Sequence, residues 1–94
     1  MSRVRDADLD RLDTLLTQLR SLADLQERSR GTFTRGSAPF LHFHSFASGL
    51  AADLKVHGQW LRYDVERAAE GQILVRDVRR VLRDDTEQLA GRPT

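Results

Sequence analysis

The chain has 94 residues, of which 39% are hydrophobic and 31% are charged, and its formal net charge is +1. This balance predicts one folded domain with a modest core, and it excludes a bulk electrostatic attraction to nucleic acid or anionic lipid. The chain has no cysteine, which excludes disulfides, thiolate metal ligands and a cysteine nucleophile. No stretch looks like a signal peptide or a membrane span, so a cytoplasmic location with no membrane partner is expected.

The first segment predicts an amphipathic helix over residues 6–29. Leucines from Leu9 to Leu25 recur at the three- and four-residue spacing of one helix face. Acidic residues near the start and arginines near the end complement the helix dipole. Gly31 is expected to end the helix, because glycine readily adopts the left-handed conformation of a helix stop.

The middle of the chain predicts an antiparallel meander over residues 32–65. Candidate strands cover residues 32–35, 40–46, 50–56 and 59–65, with turn residues between them. His57 and Gly58 are expected to form a two-residue hairpin loop. If the strand at residues 32–35 does not form, the strand that contains His42 becomes an edge, which could pair with its copy in a second chain.

The last segment predicts a helix over residues 67–89, followed by a frayed tail at residues 91–94. Arginines on this helix alternate with acidic residues such as Asp77, as on an ordinary solvated helix surface. The whole chain, residues 1–94, is therefore expected to form a single α+β domain. Its order is α-β-β-β-β-α, with both helices packed on one face of the sheet.

Alternation along the strands predicts two different sheet faces. The apolar face, expected to pack against the helices, carries Leu41, Phe43, Leu50, Ala52, Leu54, Val56, Leu61, Tyr63 and Val65. The opposite face, which we call the histidine face, is predicted to carry Phe40, His42, His44, Phe46, Ala51, Asp53, Lys55, Trp60, Arg62 and Asp64.

The hairpin at His57–Gly58 places Asp53 opposite Arg62. The preceding hairpin has two open registers, since core residues must stay on the core face. A four-residue loop places His42 opposite Asp53 and Phe40 in a row with Lys55 and Trp60. A two-residue loop at Ser48–Gly49 places His44 opposite Asp53 instead. In both registers a histidine, Asp53 and Arg62 form a row across three strands.

These residues allow several kinds of chemistry. His42, His44 and Asp53 are candidate metal ligands, because two imidazoles and a carboxylate can form a three-ligand set. The same residues are candidate groups for general acid–base catalysis, since a carboxylate orients an imidazole and raises its pKa. Ordinary cross-strand ion pairs on an exposed sheet are the favoured explanation of the pattern, and no sequence motif predicts a metal, a cofactor or an enzymatic reaction.

The aromatic and basic residues of the histidine face predict an interface. A small homodimeric binding module is the leading hypothesis, and a metal-dependent or acid–base enzyme is the alternative. Single-stranded nucleic-acid binding is a third, which the acidic residues on the face disfavour. The sequence leaves open face-to-face or edge-to-edge association and the identity of a ligand. The candidate interface residues are Phe40, His42, His44, Asp53, Lys55, Trp60 and Arg62.

One stretch carries a resemblance. The sequence "PFLHFH" followed by "GLAADLKVHGQWLRYDV" resembles the core of a family of small bacterial proteins in which a similar histidine strand precedes a Gly-x-x-Ala-Asp strand. The resemblance covers about residues 33–66. It implies that this region is one structural unit, and since no activity is assigned to the family, it transfers no functional residue.

Overall fold

The structure is a computed structural model that describes residues 2–83 and 89–94. Within these ranges, three helices and seven strands form an α+β fold. The helices are α1 (Asp6–Asp10), α2 (Asp13–Arg20) and α3 (Ala68–Leu82). The strands are β1 (Ser2–Arg3), β2 (Leu25–Ser29), β3 (Thr32–Arg35), β4 (Ala38–Phe46), β5 (Gly49–Val56), β6 (Gln59–Asp64) and β7 (Arg92–Pro93).

All strands belong to one antiparallel sheet in the order β2-β3-β4-β5-β6-β7, and β1 pairs with β4 off this path. Strand β4 therefore has two partners along one edge. β3 pairs with its first part, where Thr32 faces His42, and β1 pairs with its last part, where Arg3 faces His44. We call the point along β4 at which its pairing partner changes from β3 to β1 the fork.

The predicted first helix is correct at its start but wrong in its length. The helical region begins at Asp6 and ends at Arg20, with a break between α1 and α2, and Leu25–Ser29 is a strand. Gly31 is not a helix stop. It lies in the two-residue loop between β2 and β3, where its φ of 82° requires glycine more than any other residue.

The predicted meander is confirmed. The strand at Thr32–Arg35 forms, and β5 and β6 pair through the His57–Gly58 loop with Val56 opposite Gln59. His57 has a φ of 50° and Gly58 a φ of 80°. Positive values at both loop positions are those of a type I′ turn, whose twist matches that of the flanking strands.

The core lies between the helices and one face of the sheet, as predicted. Leucines of α1 and α2 and the apolar side of α3 pack against the apolar sheet face. The buried residues include Leu16, Leu19, Phe33, Leu41, Leu54, Leu74 and Val78, each at most 1% exposed. No described helix is both long and apolar enough to cross a membrane.

The C-terminal residues were predicted to be a frayed tail, and this is wrong, because Arg92–Pro93 pair with β6. A buried carboxylate holds the segment that precedes them. Asp77 of α3 is fully buried and accepts hydrogen bonds from the Tyr63 hydroxyl at 2.7 Å and from the Ala90 N–H at 2.6 Å. The last helix was predicted to reach residue 89, but α3 ends at Leu82, and residues 84–88 lie outside the described residues.

Candidate metal centre on the histidine face

The strand register brings the predicted row together. His42 is paired with Asp53, and Asp53 is paired with Arg62. This is the first of the two registers that the sequence left open, but its predicted four-residue loop is wrong, because the last pair, Phe46 and Gly49, encloses only two residues. The row therefore runs across β4, β5 and β6, on the sheet face opposite the helices.

Asp53 is buried at the centre of the row, with 5% of its surface exposed. Arg62 binds its carboxylate with two hydrogen bonds, from Nε to Oδ1 at 2.9 Å and from Nη2 to Oδ2 at 3.1 Å. Burial of Asp53 is compatible with its charge because this bidentate pair replaces the water it has lost. The hydrogen bond to Asp53 also raises the pKa of Arg62.

His44 reaches the same carboxylate diagonally, although it is paired with Ala51. Its Nε2 lies 3.2 Å from Asp53 Oδ2. Despite this short distance, His44 Nε2 is buried and forms no hydrogen bond with any described residue. A buried polar atom without a partner is uncommon in folded proteins, because it loses its bond to water without replacement.

His42 completes the cluster from the other side. Its ring meets the His44 ring edge-to-face at 4.4 Å between centroids and the Trp60 ring at 4.5 Å. Burial lowers the pKa of His42 and the adjacent His44 lowers it further, whereas Asp53 acts in the opposite direction. The His42 imidazole is therefore predominantly neutral at pH 7, which is the form that binds metals.

One donor atom from each of His42, His44 and Asp53 lies within 4.8 Å of the others. The sequence predicted these three residues as candidate metal ligands, and the structure places them together. Imidazole nitrogen and carboxylate oxygen are ligands that suit Zn²⁺ and neighbouring divalent transition metals. The site is thus chemically able to hold such an ion.

Aromatic and basic residues surround this cluster, largely as the alternation predicted. The Arg62 guanidinium lies over the Phe46 ring at 4.5 Å, and the Lys55 ammonium lies over the Trp60 ring at 5.5 Å. All four side chains are half-buried. Their contacts with one another cover part of the apolar surface that the face would otherwise expose.

Phe40 is the one predicted interface residue that does not belong to this face. It is 4% exposed and is part of the hydrophobic core. The cause is a β-bulge between β3 and β4, where Phe33 pairs with Leu41 but Thr34 pairs with Pro39. The extra residue breaks the alternation of side chains, so Phe40 and Leu41 are both buried.

Sequence reasoning missed the contribution of the chain ends to this surface. Arg92 of β7 lies opposite Arg62 and binds Asp64 through two hydrogen bonds of 3.1 and 3.2 Å. Strand β1 lies beside His44 at the fork. Each of these strands has two residues, which is too short for any periodic pattern to reveal.

Comparisons with known proteins add no assignment. A scan against models of protein families, a search of curated proteins and a search of solved structures each gave no match.

Proposed function

We propose that this protein is a small metal-binding module that holds a divalent transition metal ion, such as Zn²⁺, with His42, His44 and Asp53. The observation that carries the proposal is the buried His44 Nε2, which lies 3.2 Å from Asp53 Oδ2 without a hydrogen bond. A cation between the nitrogen and the oxygen would satisfy both atoms.

The distances support this interpretation. Donor atoms bound to tetrahedral Zn²⁺ at about 2.0–2.2 Å lie about 3.3–3.5 Å apart. The separation between His44 and Asp53 is already close to that value at 3.2 Å. The longest separation in the cluster is no more than 4.8 Å, so metal binding requires a side-chain shift of little more than about 1 Å. The three ligands leave a fourth position open.

Arg62 is the main argument against a metal, because its positive charge lies beside a ligand. However, each carboxylate oxygen has two lone pairs, so Asp53 can bind a metal and keep its bonds to Arg62. Ligand carboxylates are commonly hydrogen-bonded in this way by an outer residue that orients them. The same guanidinium stabilises the buried Asp53 charge without a metal, so this ligand is already held in place.

Calorimetric titration of the intact protein with Zn²⁺ tests the proposal. We expect one ion per chain. We expect His42→Ala, His44→Ala and Asp53→Asn each to weaken Zn²⁺ binding by at least about 100-fold, because loss of a residue that only supports a ligand already weakens metal binding by up to about 100-fold. The matched control is His57→Asn, which removes the remaining one of the three histidines and keeps a residue that tolerates the positive φ of the turn.

The fluorescence of Trp60, the only tryptophan, gives a second readout. Its ring is 4.5 Å from that of His42, so Cu²⁺ bound at this site should quench it at one equivalent. The proposal is wrong if the wild-type protein binds no more Zn²⁺ than the His44→Ala variant. It is also wrong if His57→Asn abolishes binding and the ligand variants do not.

A homodimer joined through the histidine face is a second candidate. It is supported by the position of the helices, which pack on the other face and leave Phe46 and Trp60 on the side without them. A dimer of this kind would act as an interaction module, with the cytoplasm as its predicted location. Aromatic and arginine side chains are the groups that most often dominate such interfaces.

Light scattering of the wild type, Trp60→Asp and Arg62→Ala tests the dimer. The expected result is a wild-type mass of two chains and a folded Trp60→Asp monomer, because a charge at the centre of the interface would remain without a partner. If the wild type and both variants each have the mass of a single chain, the homodimer is excluded. Repeating the measurement with Zn²⁺ separates the two candidates, since burial of His42 in an interface would block the metal.

A further inference from the structure

A cavity lies at the fork, where pairing along β4 changes from β3 to β1. Its volume is about 760 Å³, which is within the range of small-molecule sites. The lining residues are Val4, Arg5, Asp6, Leu9, Ser29, Arg30, Thr32, His42, Phe43 and His44. They come from both chain segments that flank the fork as well as from β4.

The cavity shares His42 and His44 with the proposed metal centre. A molecule bound in it therefore lies against two of the three ligand residues. Because a three-ligand site has an open coordination position, a donor group on that molecule can complete the metal's coordination. Oxygen donors with a negative charge are the strongest candidates, since the metal adds two positive charges to the site.

The polar lining also favours an anion. The guanidinium of Arg30 already donates hydrogen bonds to Asp6 Oδ1 at 3.1 Å and to Asp10 Oδ1 at 2.5 Å. Arg5 is not held in this way: its side chain is 81% exposed, and its ion pair with Asp8 is long at 3.7 Å. An arginine with most of its donors free can bind a carboxylate or phosphate with two parallel hydrogen bonds.

The remaining lining residues indicate the chemical character of the ligand beyond its charged group. Ser29 and Thr32 offer hydroxyl groups, and the half-buried Val4 offers apolar surface beside the buried Leu9 and Phe43. Val4 follows β1 and Phe43 lies in β4, so the apolar contacts come from two different elements. Such a mixture fits a molecule that is charged at one end and apolar at the other.

We propose that the cavity at the fork binds a small organic oxyanion, a carboxylate or a phosphate with an apolar body, whose oxygen takes the open position of the metal and whose charge is met by Arg5. This inference rests on the proposed metal-binding function. It adds a ligand class and a specificity residue to that function.

Visible absorption of the Co²⁺-loaded intact protein tests the proposal, because the bands of Co²⁺ report its coordination directly. Benzoate and phenyl phosphate are the two anionic probes, and benzamide is the neutral analogue of benzoate. We expect at least one anion to shift the bands saturably and benzamide to leave them unchanged. Which anion binds more tightly distinguishes a carboxylate from a phosphate ligand.

Arg5→Gln is the variant that tests the role of the cavity. It should weaken anion binding about tenfold, as expected for one lost charged hydrogen bond, and leave Co²⁺ affinity unchanged. Arg79→Gln, on the exposed side of α3, is the matched control and should change neither. If Co²⁺ binds normally but no anion shifts its bands, the anion site is wrong and the metal site stands. The same conclusion follows if Arg5→Gln and the wild type bind the anion equally well. Failure to bind Co²⁺ overturns the metal site and the inference together.

Discussion

Replacing Phe40 by alanine is expected to lower the free energy of unfolding by about 3–5 kcal/mol, the usual cost of removing a fully buried phenylalanine. Phe40 is 4% exposed because the β-bulge directs it into the core. A phenylalanine on an open sheet face would cost far less. Urea denaturation followed by circular dichroism measures the difference.

Phe46→Ala is the matched control, because it removes the same side chain from the same strand. Phe46 is half-buried on the histidine face, where its ring lies 4.5 Å from the Arg62 guanidinium and 5.9 Å from the His44 ring. Loss of this contact and of partial burial should cost about 1 kcal/mol. If the two variants lose equal stability, the bulge does not place Phe40 in the core.

Replacing Asp77 by alanine should cost about 3 kcal/mol, because it leaves two donors without their acceptor, and one of them, on Tyr63, is buried. These donors are the Tyr63 hydroxyl and the Ala90 N–H. Asp64→Ala is the matched control, since Asp64 also holds the C-terminal segment but forms an exposed pair with Arg92. Such pairs contribute at most about 1 kcal/mol. Equal losses in urea denaturation would show that the buried network adds nothing.

The same carboxylate should make stability depend on pH. Burial raises the pKa of Asp77, but hydrogen bonds from Ala90, Arg76 and Tyr63 outweigh this and hold it below its usual value. The contribution of Asp77 is therefore complete above the pKa of the unfolded chain, about 3.9, and is lost as the pH falls through the lower pKa of the folded state. Asp77→Asn should flatten the fall in unfolding free energy below about pH 4.

The sequence was sufficient for the meander because strand alternation and turn chemistry agree there. His57 and Gly58 indicated the hairpin loop, and that loop placed Asp53 opposite Arg62. Each of the two predicted registers placed only one histidine, His42 or His44, beside Asp53. In the structure the diagonal reach of His44 brings both to the same carboxylate. Register determines which backbones are paired, whereas side-chain length decides which groups meet.

The sequence was insufficient where the local pattern supported two structures. Leu22 and Leu25 continue the helical spacing of α2, yet Leu25 begins a strand because pairing with β3 outweighs helix propensity. Gly31 suits a helix end and a hairpin loop equally, so it could not distinguish them. The bulge that buries Phe40 also has no marker in the sequence, since it arises from the pairing of two strands.

The fork has a consequence for folding kinetics. Strands β2 to β6 are joined by two-residue loops, so their pairings are local, whereas β1 joins Ser2 to Ser45 and β7 joins Pro93 to Leu61. Contacts between distant residues require closure of a long loop and form more slowly. We therefore expect β1 to dock late and to detach early. Because β1 leads directly into Val4 and Arg5, which line the cavity, a ligand bound there would slow unfolding by holding this late-docking strand in place.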